Sequence, residues 1–95
     1  MAGYRIDRQI KELGEHIHGW RMVLGLTAQQ VAERADITRD TLRKIESGNP
    51  NVSFNSVAQV LRALGLLDRV VDAVDPLNSD IGRLRADRLT RRRAR

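Results

Sequence analysis

Residues 26–48 read LTAQQVAERADITRDTLRKIESG, and this stretch decides the fold. Thr27 is placed to cap a helix, its hydroxyl accepting a hydrogen bond from an otherwise unpaired amide of the first turn. Behind it Val31 and Ala32 turn one face inward, with Ala35 one helical step further on. Asp36 and Ile37 form the connection, and Ile37 plugs the gap between two short helices. Thr38 caps the second helix, in which Leu42 and Ile45 sit three apart on the buried face. The opposite face presents Arg39, Asp40, Thr41, Arg43 and Lys44. Gly48 stops the helix, since glycine tolerates left-handed backbone geometry. Ala32 is small enough for the two helix backbones to cross closely at a steep angle, so the second helix protrudes.

Working outward, the rest of the chain also reads as helix. Ile6, Ile10, Leu13, Ile17, Trp20 and Leu24 recur at spacings of 4, 3, 4, 3 and 4, one face of a long first helix interrupted by Gly14 and Gly19 and ended by Gly25. Trp20 is expected in the core. Asn49-Pro50-Asn51 is a loop. Ser53 or Asn55 caps a fourth helix whose Phe54, Val57, Ala58, Val60, Leu61 and Leu64 form a wide apolar face, and Gly65 terminates it. Leu67, Val70, Val71 and Val74 mark a fifth helix ending before Pro76. A short extended piece in the tail is the sole competitor to an all-α fold.

Ninety-five residues are enough for one small core without metal or disulfides. With no cysteine there is no disulfide framework, thiol nucleophile or zinc finger. The longest apolar run falls far short of a membrane span, and the polar N-terminus, MAGYRIDRQIKELGEH, does not read as a signal peptide. The expected location is cytoplasmic, associated with the nucleoid. The net charge of +5 is unevenly placed. Residues 83–95 hold seven arginines (Arg83, Arg85, Arg88, Arg91, Arg92, Arg93 and Arg95) against Asp87, which is +6, leaving ten basic and eleven acidic groups, −1, for residues 1–82. The tail is either a solubilising end or a phosphate-contacting one. On the second short helix, Arg39, Asp40, Arg43 and Lys44 together give +2.

Leu26-Thr27, Val31-Ala32, Ala35-Asp36-Ile37-Thr38, Thr41-Leu42 and Ile45-Glu46-Ser47-Gly48 together resemble the phage-repressor-like helix-turn-helix, the XRE family. The resemblance covers roughly residues 10–75 and implies a five-helix domain that binds double-stranded DNA, with residues 1–75 as that domain and residues 76–95 as linker and arginine-rich tail. Two positions depart from the family. Ala28 stands where glutamine usually follows the cap, and Gln29 and Gln30 come after it. Asp36 stands where the turn usually has glycine, and aspartate tolerates left-handed geometry better than most residues. The run Asn51 to Val57, with Val60 to Leu66, is also similar to HipB-type antitoxins, which are often encoded beside a HipA-type kinase toxin. That similarity implies an autorepressor that also restrains a protein partner.

The resemblance places Thr27, Gln29, Thr38, Arg39, Asp40, Thr41, Arg43 and Lys44 against DNA. Arg39, at the start of its helix, is best placed for bidentate contact to guanine. Asp40 either accepts a bond from cytosine or orients Arg39 or Arg43. Thr41 is placed for a thymine methyl, and Lys44 for a base edge or phosphate. Gln29 and Gln30 are either contacts or ordinary exposed helix formers. Glu46 is read as structural. A single domain reads few base pairs, so a homodimer on a palindrome is expected. The apolar stripe around Leu66, Leu67, Val70, Val71 and Val74 is either core or dimer interface. His16 and His18, two apart, face different ways and make a poor metal pair. No metal or cofactor is expected, and no acid–base pair, phosphate loop or Ser-His-Asp arrangement points to an enzyme. The alternative class is an antitoxin or adaptor whose main role is holding a partner protein.

Overall fold

Short polar side chains start the central helices. In the computed structural model, which describes residues 2–91, Thr27, Thr38 and Ser53 each have extended backbone and accept a hydrogen bond from the amide three residues on. The helices that result are α1 (Ala2–Val23), α2 (Ala28–Ala35), α3 (Arg39–Glu46), α4 (Phe54–Ala63) and α5 (Leu67–Val74). A 3-10 turn (Pro76–Asn78) and two short helices, α6 (Asp80–Leu84) and α7 (Arg88–Arg91), follow. The described residues hold no strand, and the fold is all-α.

α2 packs on α3 and α4, and α1 packs on α3. Val31, Ala32 and Ala35 of α2, Leu42 and Ile45 of α3, Ile17 of α1, and Val60, Leu61 and Leu64 form the buried core. The turn between α2 and α3 is left-handed at Asp36, with φ 57°. Its amide bonds back to Glu33 and that of Ile37 to Ala32, which closes α2 and redirects the chain. Ile37 is half-buried against the core. Ala32 and Ala35 are fully buried where α2 faces its neighbours, so no larger side chain separates the helices.

Several apolar residues expected inside are not. On α1 Ile17 is 2% exposed, whereas Ile6 and Leu13 are about half exposed and Trp20 lies at the surface. A 22-residue helix is about 33 Å long, and the first turns of α1 run past the helices that could cover them. The Trp20 ring instead carries the Arg69 guanidinium of α5, 5.4 Å from its centroid. Phe54, in the first turn of α4, is 86% exposed. It stands at the mouth of an open groove of about 310 Å³ between α1 and α4, together with Ile10, Leu13, Val52 and Val57. The α5 stripe divides: Leu66 and Leu67 pack against the core, while Val70, Val71 and Val74 are exposed.

The segment after Pro76 is built rather than extended. Asp75 accepts from the Leu77 amide, and Ser79 accepts from the Gly82 amide as the cap of α6. Asn78 donates to the Asp72 carbonyl, and Arg83 bonds both the Leu77 carbonyl and Asp80. A side chain at Gly82 would run into the Pro76 carbonyl. Arg92, Arg93 and Arg95 lie outside the described residues. No helix among the described residues is long and apolar enough to cross a membrane.

Candidate nucleic-acid interface

α3 is short, and its position is set at both ends. At the start, Thr38 accepts from the Thr41 amide at 3.0 Å and donates its hydroxyl to the Thr41 hydroxyl at 2.9 Å. At the other end Glu46 forms a bidentate pair with Arg21 of α1: Nε donates to Oε2 at 2.7 Å and Nη2 to Oε1 at 3.0 Å. The same guanidinium donates to the Leu26 carbonyl, just ahead of α2, at 3.2 Å. His18 Nδ1 lies 2.8 Å from Glu46 Oε1. Arg21 and Glu46 side chains are only 13% and 12% exposed. Burial alone would push the Glu46 carboxyl up, but hydrogen bonds from Arg21 and His18, with their charge, hold it below the usual range. Glu46 in turn raises the Arg21 guanidinium further.

A second fixture is a backbone contact. Gly14 of α1 is buried against the end of α3, where an added Cβ would lie 2.6 Å from the Ile45 carbonyl oxygen, 2.8 Å from that of Glu46 and 2.9 Å from the Gly48 amide. α1 therefore touches the final turn of α3 with no side chain between them.

The exposed side of α3 carries the cations. Asp40 accepts from Arg43 Nη2 at 2.6 Å and lies 3.4 Å from Lys44 Nζ. The hydrogen bond from Arg43, then that from Lys44, hold its carboxyl below the usual range. Arg39 is exposed and forms no hydrogen bond or ion pair among the described residues. It borders an open cleft of about 690 Å³ also lined by Arg21, Ala28, Asp40, Arg43 and Glu46. The cleft thus runs between the start of α2 and the outer face of α3.

The structure gathers Thr38, Arg39, Asp40, Thr41, Arg43 and Lys44 on one eight-residue helix and its cap. Thr27 and Gln29 belong to α2. Thr27 is its cap, and Gln30 closes a capping box by accepting from the Thr27 amide at 2.8 Å. Gln29 donates to Glu33 at 2.8 Å. Of the two glutamines, Gln30 is committed to the helix start. The spacing Thr27-x-x-Gln30 is the signal for that role. The sequence reading missed His18, Gly14 and Arg62. Arg62 of α4 donates to the Arg34 carbonyl at 2.7 Å and so caps the last turn of α2. His18 lies four residues from Gly14 on α1, the face that α3 meets, and this spacing was its available signal.

The pattern of the helix-turn-helix domain family matches residues 12–74, about two thirds of the chain. No curated protein and no solved structure matches it. With two capped helices joined by a left-handed turn and a cationic outer face on the second, the chain belongs to the helix-turn-helix domain family, the architecture in which that second helix reads DNA in the major groove.

Proposed function

We propose that this protein is a sequence-specific DNA-binding transcriptional regulator, an autorepressor acting as a homodimer on a palindromic operator. The observation that carries the reading is Arg39. It stands at the capped start of α3, whose far end is anchored by the Arg21–Glu46 pair, and no protein group satisfies its guanidinium among the described residues. A planar, always-charged fork of this kind matches guanine O6 and N7. α2 crosses the phosphate backbone, with the amides behind Thr27 facing phosphate at the positive end of the helix. Gln29 flanks this contact, Thr41 meets a thymine methyl, and Arg43 and Lys44 are held beside Asp40 on the outer face of α3. The exposed Val70, Val71 and Val74 supply the surface on which two copies meet.

The test is enrichment of bound sequences from a random duplex pool, followed by mobility shift on the winner. A palindrome whose half-sites lie about 10 bp apart or a multiple of that is expected. Light scattering showing a monomer both free and on DNA would remove the dimer. A second reading, restraint of a partner protein such as a HipA-like kinase toxin, is favoured by Phe54. It belongs to the antitoxin-like run and is almost fully exposed. No specific shift, together with a stoichiometric complex with the product of a neighbouring kinase-like gene, would put this reading first.

A further inference from the structure

We propose that Asp40 is a specificity-determining residue of α3, positioning Arg43 and Lys44 and rejecting sequences that offer its carboxylate no hydrogen-bond donor. The inference rests on the DNA-reading function above. Asp40, Arg43 and Lys44 are spaced i, i+3 and i+4, one face of the helix. Arg39 precedes Asp40 by one residue, about 100° round the helix, and is left out of the cluster. The carboxylate therefore divides the cations of α3 into one free arginine and two restrained groups.

This cluster does little for the fold. The Asp40, Arg43 and Lys44 side chains are 60%, 68% and 45% exposed, and ion pairs so open to water contribute little to stability. Against DNA the same carboxylate matters more. It approaches a polyanion carrying one charge per about 1.7 Å of axis. Arg43 and Lys44 offset part of that repulsion and fix where the carboxylate points. Its remaining acceptor capacity needs a donor in the groove, which the amino group of cytosine or adenine supplies and guanine O6 or thymine O4 does not. On a mismatched sequence Asp40 gives up water and gains repulsion. Asp40 therefore lowers affinity for DNA in general and lowers it least on the right sequence.

The test uses the full chain, a duplex enriched from a random pool by the wild-type protein, and a random-sequence duplex, each measured across several salt concentrations. For Asp40→Asn the expected result is tighter binding to random duplex and a specific-to-random affinity ratio lower by about 5- to 150-fold, the range of one base-edge contact. Arg43 and Lys44, released onto phosphates, should steepen the slope of log affinity against log salt by up to about 2, at about 0.9 for each contact. In an Arg43→Gln background the further effect of Asp40→Asn on the ratio should shrink, because one of the two groups it positions is gone. Unchanged melting establishes that the fold is not the cause. A ratio equal to that of the wild type on the enriched duplex overturns the role of Asp40 alone. A wild-type protein that enriches no sequence overturns the DNA-reading function, and the role of Asp40 with it.

Discussion

Arg39 and Glu46 sit on the same short helix and do opposite work. Arg39 is exposed and has no partner among the described residues, whereas Glu46 is nearly enclosed and bonded by two residues, His18 and Arg21, on one face of α1. Arg39→Ala should weaken specific binding by about 1–3 kcal/mol and relax preference at one base pair, with a much smaller change on random DNA. An equal loss on both would make Arg39 a phosphate contact. Glu46 gives a pH dependence. Its folded-state carboxyl lies below the ordinary value of about 4.5, so its contribution to stability is complete above that value. The contribution is lost as pH falls through the lower folded-state value. Glu46→Gln should be less stable than wild type at neutral pH, and the gap should close on acidification below about 4.5; a gap constant with pH would show that the pair contributes nothing through its charge. At this scale the caps were legible, because Thr27 and Thr38 act through their own backbone neighbourhood. The Arg21–Glu46 pair joins residues 25 apart in the chain, and no local pattern announces such a partner.

Among the elements, α1 shows the limits of periodicity most clearly. The heptad-like spacing of Ile6, Ile10, Leu13, Ile17, Trp20 and Leu24 correctly marks one helical face. It carries no information on whether another element reaches that face: the end of α3 meets Gly14, His18 and Arg21 beside it, and of the six apolar residues Ile17 alone is buried. Phe54 failed for the same reason, being apolar and in register but in a turn beyond the packed part of α4. In the sequence Gly14 reads as an interruption of the helix. Its real role is the absence of a side chain where α1 meets the last turn of α3. Gly14→Ala places a methyl against backbone atoms that have no rotamer by which to yield. Overpacking of this kind costs typically about 1–3 kcal/mol, although alanine is the better helix former. The expected outcome is a lower melting temperature, with DNA affinity falling too because the end of α3 moves. Gly19, where nothing lies within 4 Å of an added Cβ, is the control, and Gly19→Ala should be neutral or stabilising. Equal effects at the two glycines would mean that the α1–α3 crossing does not hold the recognition helix.

The whole molecule separates a nearly neutral helical domain from a strongly basic end, and this separation was readable from composition alone. The order within residues 76–91 was not, because arginine density masked the signals of Asp75 before Pro76 and of Ser79 three residues before Gly82. Those two caps and the Arg83 bonds fix the direction in which α6 leaves α5. Arg83, Arg85 and Arg88 are therefore presented from an ordered start. We propose that this segment supplies much of the non-specific attraction to DNA, since residues 1–82 carry ten basic against eleven acidic groups and residues 83–95 carry seven arginines against one aspartate. Each phosphate neutralised adds about 0.9 to the slope of log affinity against log salt. Deleting residues 83–95 removes cations that touch any sequence alike, while Arg39, Asp40 and Thr41 stay on α3. The truncated protein should show a flatter salt slope and weaker binding to every duplex, and it should enrich the same operator from a random pool. If instead the arginines grip an acidic surface on a partner protein, the full-length and truncated chains will give identical salt slopes on DNA, and only the complex with the partner will weaken.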